Sequence, residues 1–141
     1  MKNSIYVGAN STNVVNANGI VPLTTIVHRE NGNNSSEIDL VGNAVAIDTG
    51  CRCRPRYNGV ASITFTGATT GLASLSIYVN GNLIPFTTKS ETINTATTEV
   101  HTLTIPFAVL TNRCSTTAIT IVNTGTIALN VTNASLNVVE Q

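Results

Sequence analysis

Apolar and polar residues alternate along most of this chain with the two-residue period of half-buried strands. The clearest stretch is SLSIYVNGNLIPF, residues 74–86. Leu75, Ile77 and Val79 alternate there with Ser74, Ser76 and Tyr78, and Asn80-Gly81 follows at once. Both turn residue types tolerate the positive φ that a tight hairpin requires. The chain resumes apolar at Leu83, Ile84 and Phe86, so a central hairpin is predicted.

Other strands are predicted on both sides of it. After Pro22, Leu23, Thr25 and Val27 share one side. NGNNSS at 31–36 is a loop by its turn chemistry. Ile38 and Leu40, then Val45 and Ile47, form two short strands about Gly42-Asn43. A long strand at 57–66 places Tyr57, Gly59, Ala61, Ile63 and Phe65 on one face, with Asn58, Val60, Ser62 and Thr64 on the other. Residues 87–99 are Thr-rich and weakly patterned, a loop or ragged edge. Leu103, Ile105, Phe107 and Val109 are in phase, and Pro106 among them places that strand at an edge or a bulge, because proline cannot donate to a ladder. Ile119 and Ile121 mark one more strand. At the end, Ile127, Leu129 and Val131 have one parity and Ala134, Leu136 and Val138 the other. A bulge near Thr132-Asn133 reconciles the two. No segment combines helical periodicity with caps. Eight or so short strands separated by turns imply an antiparallel sandwich or jelly roll.

Residues 1–19 read differently. Ile5 and Val7 alternate briefly, but Gly8, Asn10, Asn13, Asn16, Asn18 and Gly19 interrupt any long apolar face. An extended arm that holds at most one short strand is predicted there, with the domain proper at 20–141. Ile5, Tyr6, Val7, Val14 and Val15 are the side chains with which such an arm would anchor to a partner.

Composition sharpens this picture. The 141 residues suit one domain with a core of its own. Only 10% are charged, against roughly a quarter in typical domains. The surface is therefore built from neutral polar groups, with 23 Thr and 18 Asn. Val, Ile and Thr together number 51, which favours pleated surface over helix. Net charge is zero, so no general attraction to nucleic acid or anionic membrane is expected. The opening MKNSIYVGANSTNVV lacks an apolar core of signal-peptide length, and no run approaches the ~18 apolar residues of a membrane helix. Synthesis and folding in a cytoplasm are expected, in agreement with an odd number of cysteines.

Candidate chemistry is sparse. Cys51-Arg52-Cys53, Cys114, His28 and His101 are the available soft ligands, but C-x-C alone lacks the paired spacing of a zinc ribbon, so no metal site is assigned. The cysteines are expected as small buried hydrophobes or free thiols, with Cys53 and Cys114 able to pair in an oxidising medium. Arg52, Arg54 and Arg56 alternate, so a strand would point all three to one side, toward acidic groups on a partner or a neighbouring subunit. Glu30, Glu37 and Asp39 are the candidate acids within the chain. His101 is in phase with Leu103 and Ile105, which predicts a place at the rim of the core with one ring nitrogen hydrogen-bonded. No G-x-S-x-G, H-E-x-x-H, P-loop or dinucleotide fingerprint occurs, and no enzyme or cofactor is expected.

The order of these signals resembles the jelly roll of tumour necrosis factor and of complement globular heads. The matching pieces are PLTTIVHR, LVGNAVAI, RYNGVASITFTG, SLSIYVNGNLIPF, LTIPFAVL and ITIVNTGTIALNVTNASLNVVE. The chain resembles more closely a set of small proteins encoded by phages and prophages of Gram-positive bacteria, with a "GN-x-V" segment, a Tyr-initiated strand, a "YVNG"-like hairpin and a "VTNASL"-like ending. Here Arg56 precedes Tyr57 where that group has Gly. The resemblance covers about 120 residues. It implies a homotrimer that buries one sheet face of each subunit, with a second apolar row, Val60 and Tyr78 for example, in the interface. It also implies a virion accessory protein, a capsid decoration or head-fibre protein that contacts the major capsid protein or another virion protein on the particle surface. The alternative is the receptor- or glycan-binding head of a tail fibre, meeting a host-surface glycan. Against it stand the absence of shaft repeats from the sequence and an aromatic content of 4%.

Overall fold

The computed structural model describes residues 2–32, 36–51 and 54–141; Arg52 and Cys53 lie outside the described residues. Its elements are β1 (Ser4–Ala9), β2 (Asn13–Val15), β3 (Thr25–Glu30), β4 (Glu37–Val41), β5 (Ala44–Thr49), β6 (Arg56–Gly67), β7 (Gly71–Val79), β8 (Asn82–Leu83), β9 (Lys89–Ile93), β10 (His101–Leu110), β11 (Ser115–Asn123) and β12 (Leu129–Glu140). They form two antiparallel sheets. The first runs β10-β6-β12-β1-β3, with β2 also on β12. The second runs β4-β5-β11-β7-β8, with β9 also on β7. Apart from the β4-β5 and β7-β8 hairpins, most neighbours in space are not consecutive in sequence, as in a jelly roll.

Alternation does what it predicts in the long strands. Tyr57, Ala61, Ile63 and Phe65 of β6 meet Leu75 and Ile77 of β7 and Ile119 and Ile121 of β11 in one core between the sheets. Gly59 also faces inward, and its missing Cβ is the space taken by the Phe107 ring. Asn80 and Gly81 adopt φ of 52° and 80°, the mirror-type turn predicted between β7 and β8. Pro106 sits on β10, an edge strand of its sheet, where its missing N–H costs nothing. The bulge in β12 falls where the parity change places it. Val131 pairs with Phe65 and Asn133 with Thr64, so Thr132 is the extra residue. Both halves of β12 then turn their apolar side chains to the core.

Three expectations are corrected. Residues 1–19 do not project as an arm. β1 pairs with β12 on one side and β3 on the other, and Ile5, Val7 and Val15 are buried in the core. Of the glycines and asparagines that break the apolar run, Gly8 takes an outward position, Asn10, Asn16, Asn18 and Gly19 lie between strands, and Asn13 shares the parity of Val15 in β2. Asn3 is buried and joins the chain's two ends. Its Nδ2 donates to the Ser36 carbonyl and the Tyr57 hydroxyl, both at 3.0 Å, and its Oδ1 accepts from Gly32 N at 2.6 Å. Asn123 fixes the next part of the segment, donating from Nδ2 to the Val15 carbonyl at 3.0 Å.

The strand after Pro22 is the second correction. Leu23 is buried, but all of β3 is exposed, Thr25 and Val27 included, because β3 is an edge strand. Its register against β1 shifts at Val27, since Tyr6 pairs with His28 and Val7 with Ile26. Third, the ragged stretch after the hairpin contains β9, held on β7 from Gly71 to Leu75.

Candidate interaction surfaces

The first sheet turns its outer face to solvent as a charge-poor plane. One cross-strand row on it reads Pro106, Val60, Asn137, Tyr6 and His28. The next row reads Thr104, Ser62, Ser135, Gly8 and Thr25. Val60, Tyr6 and Val139 are each a little over 40% exposed. Thr64 and Thr102 share a hydroxyl hydrogen bond at 2.9 Å. Depletion of charge with retained apolar groups is a property of interface cores.

A cavity of about 200 Å³ opens on this face between β1, β3 and β12. Gly8 is its floor and Tyr6, Thr25, Val27 and Ser135 line it. Its cause is local, because Gly8 offers no side chain between Ser135 and Thr25 in the cross-strand row. A Cβ at Gly8 would lie 2.9 Å from the Ala134 carbonyl oxygen, so the close β1–β12 approach excludes one.

The outer face of the second sheet is a ladder of hydroxyls. Ser74 bonds Ser90 at 2.7 Å, and Ser76 bonds Thr88 at 2.7 Å and Thr124 at 3.0 Å. Tyr78 lies half-buried on this sheet, in phase with Ser74 and Ser76. Tyr78 and Val60 therefore occupy different sheets with opposite outer faces and do not form one apolar row. Strands of the two sheets share the same period, and only the pairing order separates them.

The basic cluster also divides. Arg52 lies outside the described residues. Arg54 precedes β6 and donates to Asn112 Oδ1 at 3.2 Å, whereas Arg56 opens β6 and is exposed. Asp39 pairs with Arg29 at 2.6 Å. Both side chains of that pair are about half exposed, so it contributes at most about 1 kcal/mol. Of the expected anchor residues, Ile5, Val7 and Val15 are in the core, while Tyr6 and Val14 reach solvent.

Cys51 and Cys114 are neither buried nor free. They are exposed and form a disulfide with Cα atoms 4.5 Å apart. It ties the end of β5 to the start of β11, where Thr49 already pairs with Ser115. Adjacency of these two strands selects Cys51; Cys53 lies outside the described residues.

His101 sits at the rim of the core, as its phase predicts. Its Nε2 is 2.9 Å from Glu99 Oε2, Nδ1 is 3.9 Å from Glu91, and the ring stacks on Phe65. Glu99 also accepts from Asn94 N at 2.8 Å. The His101 hydrogen bond, then the Asn94 amide, holds the Glu99 carboxyl below its ordinary value of 4.5. Among the described residues no group of three or more His, Cys, Asp or Glu is arranged to hold a metal ion. Among them, too, no helix is long and apolar enough to cross a membrane.

Sequence alternation misses Phe86. It is 101% exposed with φ 67°, in the break between β8 and β9. A Pro-Phe pair just after a turn is the only local signal, and it reads equally as core.

No protein-family model and no curated protein matches this sequence. Solved structures do match. Eiger TNF from S. frugiperda superposes with a TM-score of 0.70 at 9% identity, over 99% of this chain and 92% of that one. PRD1 vertex protein P5 gives 0.61 at 10% identity, over 99% and 96%. The globular domain of zebrafish complement 1qA protein gives 0.61 at 10% identity, over 96% and 94%. The chain has an all-β antiparallel jelly-roll fold like those of tumour necrosis factor and complement globular domains.

Proposed function

We propose that this chain is a structural accessory protein of a phage virion, a homotrimeric decoration or head-fibre protein on the capsid surface, and not an enzyme. The observation that carries this reading is the charge-poor outer face of the β10-β6-β12-β1-β3 sheet, on a fold shared along its whole length with a vertex protein. Such a face buries at little desolvation cost, because it carries hydroxyls, amides and apolar groups in place of ions. In this reading three copies cover that face and the hydroxyl-rich second sheet remains outside. Attachment to the major capsid protein or another virion protein uses Val14 of the N-terminal segment, since Ile5, Val7 and Val15 are committed to the core and Tyr6 lies on the covered face.

Two measurements test it. Light scattering of the purified protein should give three times 14.7 kDa. Mass spectrometry of purified virions should find the chain at stoichiometric amounts, and immunogold labelling should place it on the capsid. A label confined to the tail tip would transfer the reading to a receptor- or glycan-binding fibre head. Absence from particles would end both.

A further inference from the structure

Phe86 is the strongest anomaly on the surface. A fully exposed phenylalanine forgoes the burial of some 150–250 Å² that aromatic rings usually contribute. It is also held in place. Thr87 is buried, its hydroxyl donates to the Ile84 carbonyl at 2.8 Å, and it accepts from Ile77 N at 3.2 Å. Phe86 itself has a φ of 67°, and its ring is clear of its own sandwich. A rigidly presented ring loses little freedom on binding. Beside it lies the edge formed by Leu83, Ile84, Pro85 and Leu110.

The cavity floored by Gly8 has the complementary properties. At about 200 Å³ it falls below the roughly 300–1,000 Å³ of small-molecule sites, and suits a single side chain. No charged residue lines it. It lies toward the β3 edge of the first sheet, whereas Phe86 lies at the opposite side, where β8 and β10 are the edges of their sheets. Knob and hole on opposite edges cannot meet within one chain. Placed on successive copies, they make a head-to-tail contact, which gives a ring where the rotation between copies closes and a filament where it does not.

We infer that Phe86 is the intersubunit anchor, inserting into the Gly8-floored cavity between β1, β3 and β12 of a neighbouring copy. This rests on the trimer reading and names the contact that holds it. The test compares wild type with Phe86→Ala and with Ser135→Trp, which fills the hole, by sedimentation equilibrium across a concentration series. Circular dichroism confirms that each variant keeps its strands, since both positions lie outside the core. Each variant should weaken association at least about 30-fold. A photo-crosslinking residue at 86 should label the neighbour at residues 6–9 or 133–135. If wild type is monomeric at all concentrations, the trimer reading itself falls, and this contact with it. If wild type is trimeric and both variants associate as tightly, the trimer stands and the Phe86 assignment falls. Crosslinks confined to the Leu83–Leu110 edge, or a dimer lost in Phe86→Ala, would show a two-fold contact and overturn the assignment.

Discussion

Gly59 and Phe107 show how a single residue can be fixed by its neighbour. The ring of Phe107 lies where a Gly59 side chain would begin, so Gly59→Ala forces the ring or β10 to move. Overpacking of this kind costs about 1–3 kcal/mol, and urea unfolding should show the loss with an unchanged slope. Asn3 is fixed by polarity. Asn3→Ala removes three hydrogen bonds from a buried site and should cost about 2–3 kcal/mol in the same assay. Glu99 makes a pH-dependent contribution. Its carboxyl is held below 4.5, so the unfolded chain takes up this proton first as the medium acidifies. Glu99 therefore stabilises the fold above pH 4.5, and that gain is lost as pH falls through the lowered folded value. The gap in melting temperature between wild type and Glu99→Gln should be constant at neutral pH and close as the pH falls below this range. A gap that persists unchanged at pH 3 would exclude the carboxylate as its source.

At the level of elements, β1 carries the largest consequence. It contributes Ile5 and Val7 to the core and hydrogen-bonds two neighbours. Deleting residues 1–19 would open β12 along one edge and expose β3 entirely. The truncated chain should fail to give a cooperative melt, whereas Val14→Asp, on an exposed side chain, should leave the melt unchanged. The disulfide acts on elements too. Closing a separation of 63 residues restricts the unfolded chain by about 4 kcal/mol in the loop-entropy picture. Cys51→Ser with Cys114→Ser, or reduction of the wild type, should lower the urea midpoint accordingly. Since β5 and β11 pair independently of the sulfurs, the fold itself should persist.

For the whole molecule, the sandwich presents two unlike faces and two open edges. The hydroxyl ladder of the second sheet satisfies its own polar groups and offers little to a partner. The outer face of the first sheet has the opposite character, with Tyr6, Val60 and Val139 exposed in a nearly uncharged field. Association through it should depend weakly on salt, because few charges are screened. Sedimentation in about 50 mM and about 500 mM salt should therefore give the same mass.

Local pattern alone reached the long strands β6, β7, β10, β11 and β12, the Asn80-Gly81 turn, the Thr132 bulge and the edge position of Pro106. Each depends on a two-residue period or on backbone chemistry carried by the residue itself. It also reached the rim position of His101, since parity with Leu103 and Ile105 fixes which way that ring points. What it could not supply was the partner of each strand. Sheet membership is decided by contacts such as β1 with β12, which join residues more than a hundred positions apart. For that reason Val60 and Tyr78 read as one row though they lie on opposite faces, and Ile5 and Val7 read as an arm though they are core. The choice of Cys51 as the partner of Cys114 and the cavity over Gly8 follow from the same long-range pairing. A period of two says that a side chain has a sunny and a shaded side; only the assembled sheets say which neighbour casts the shade.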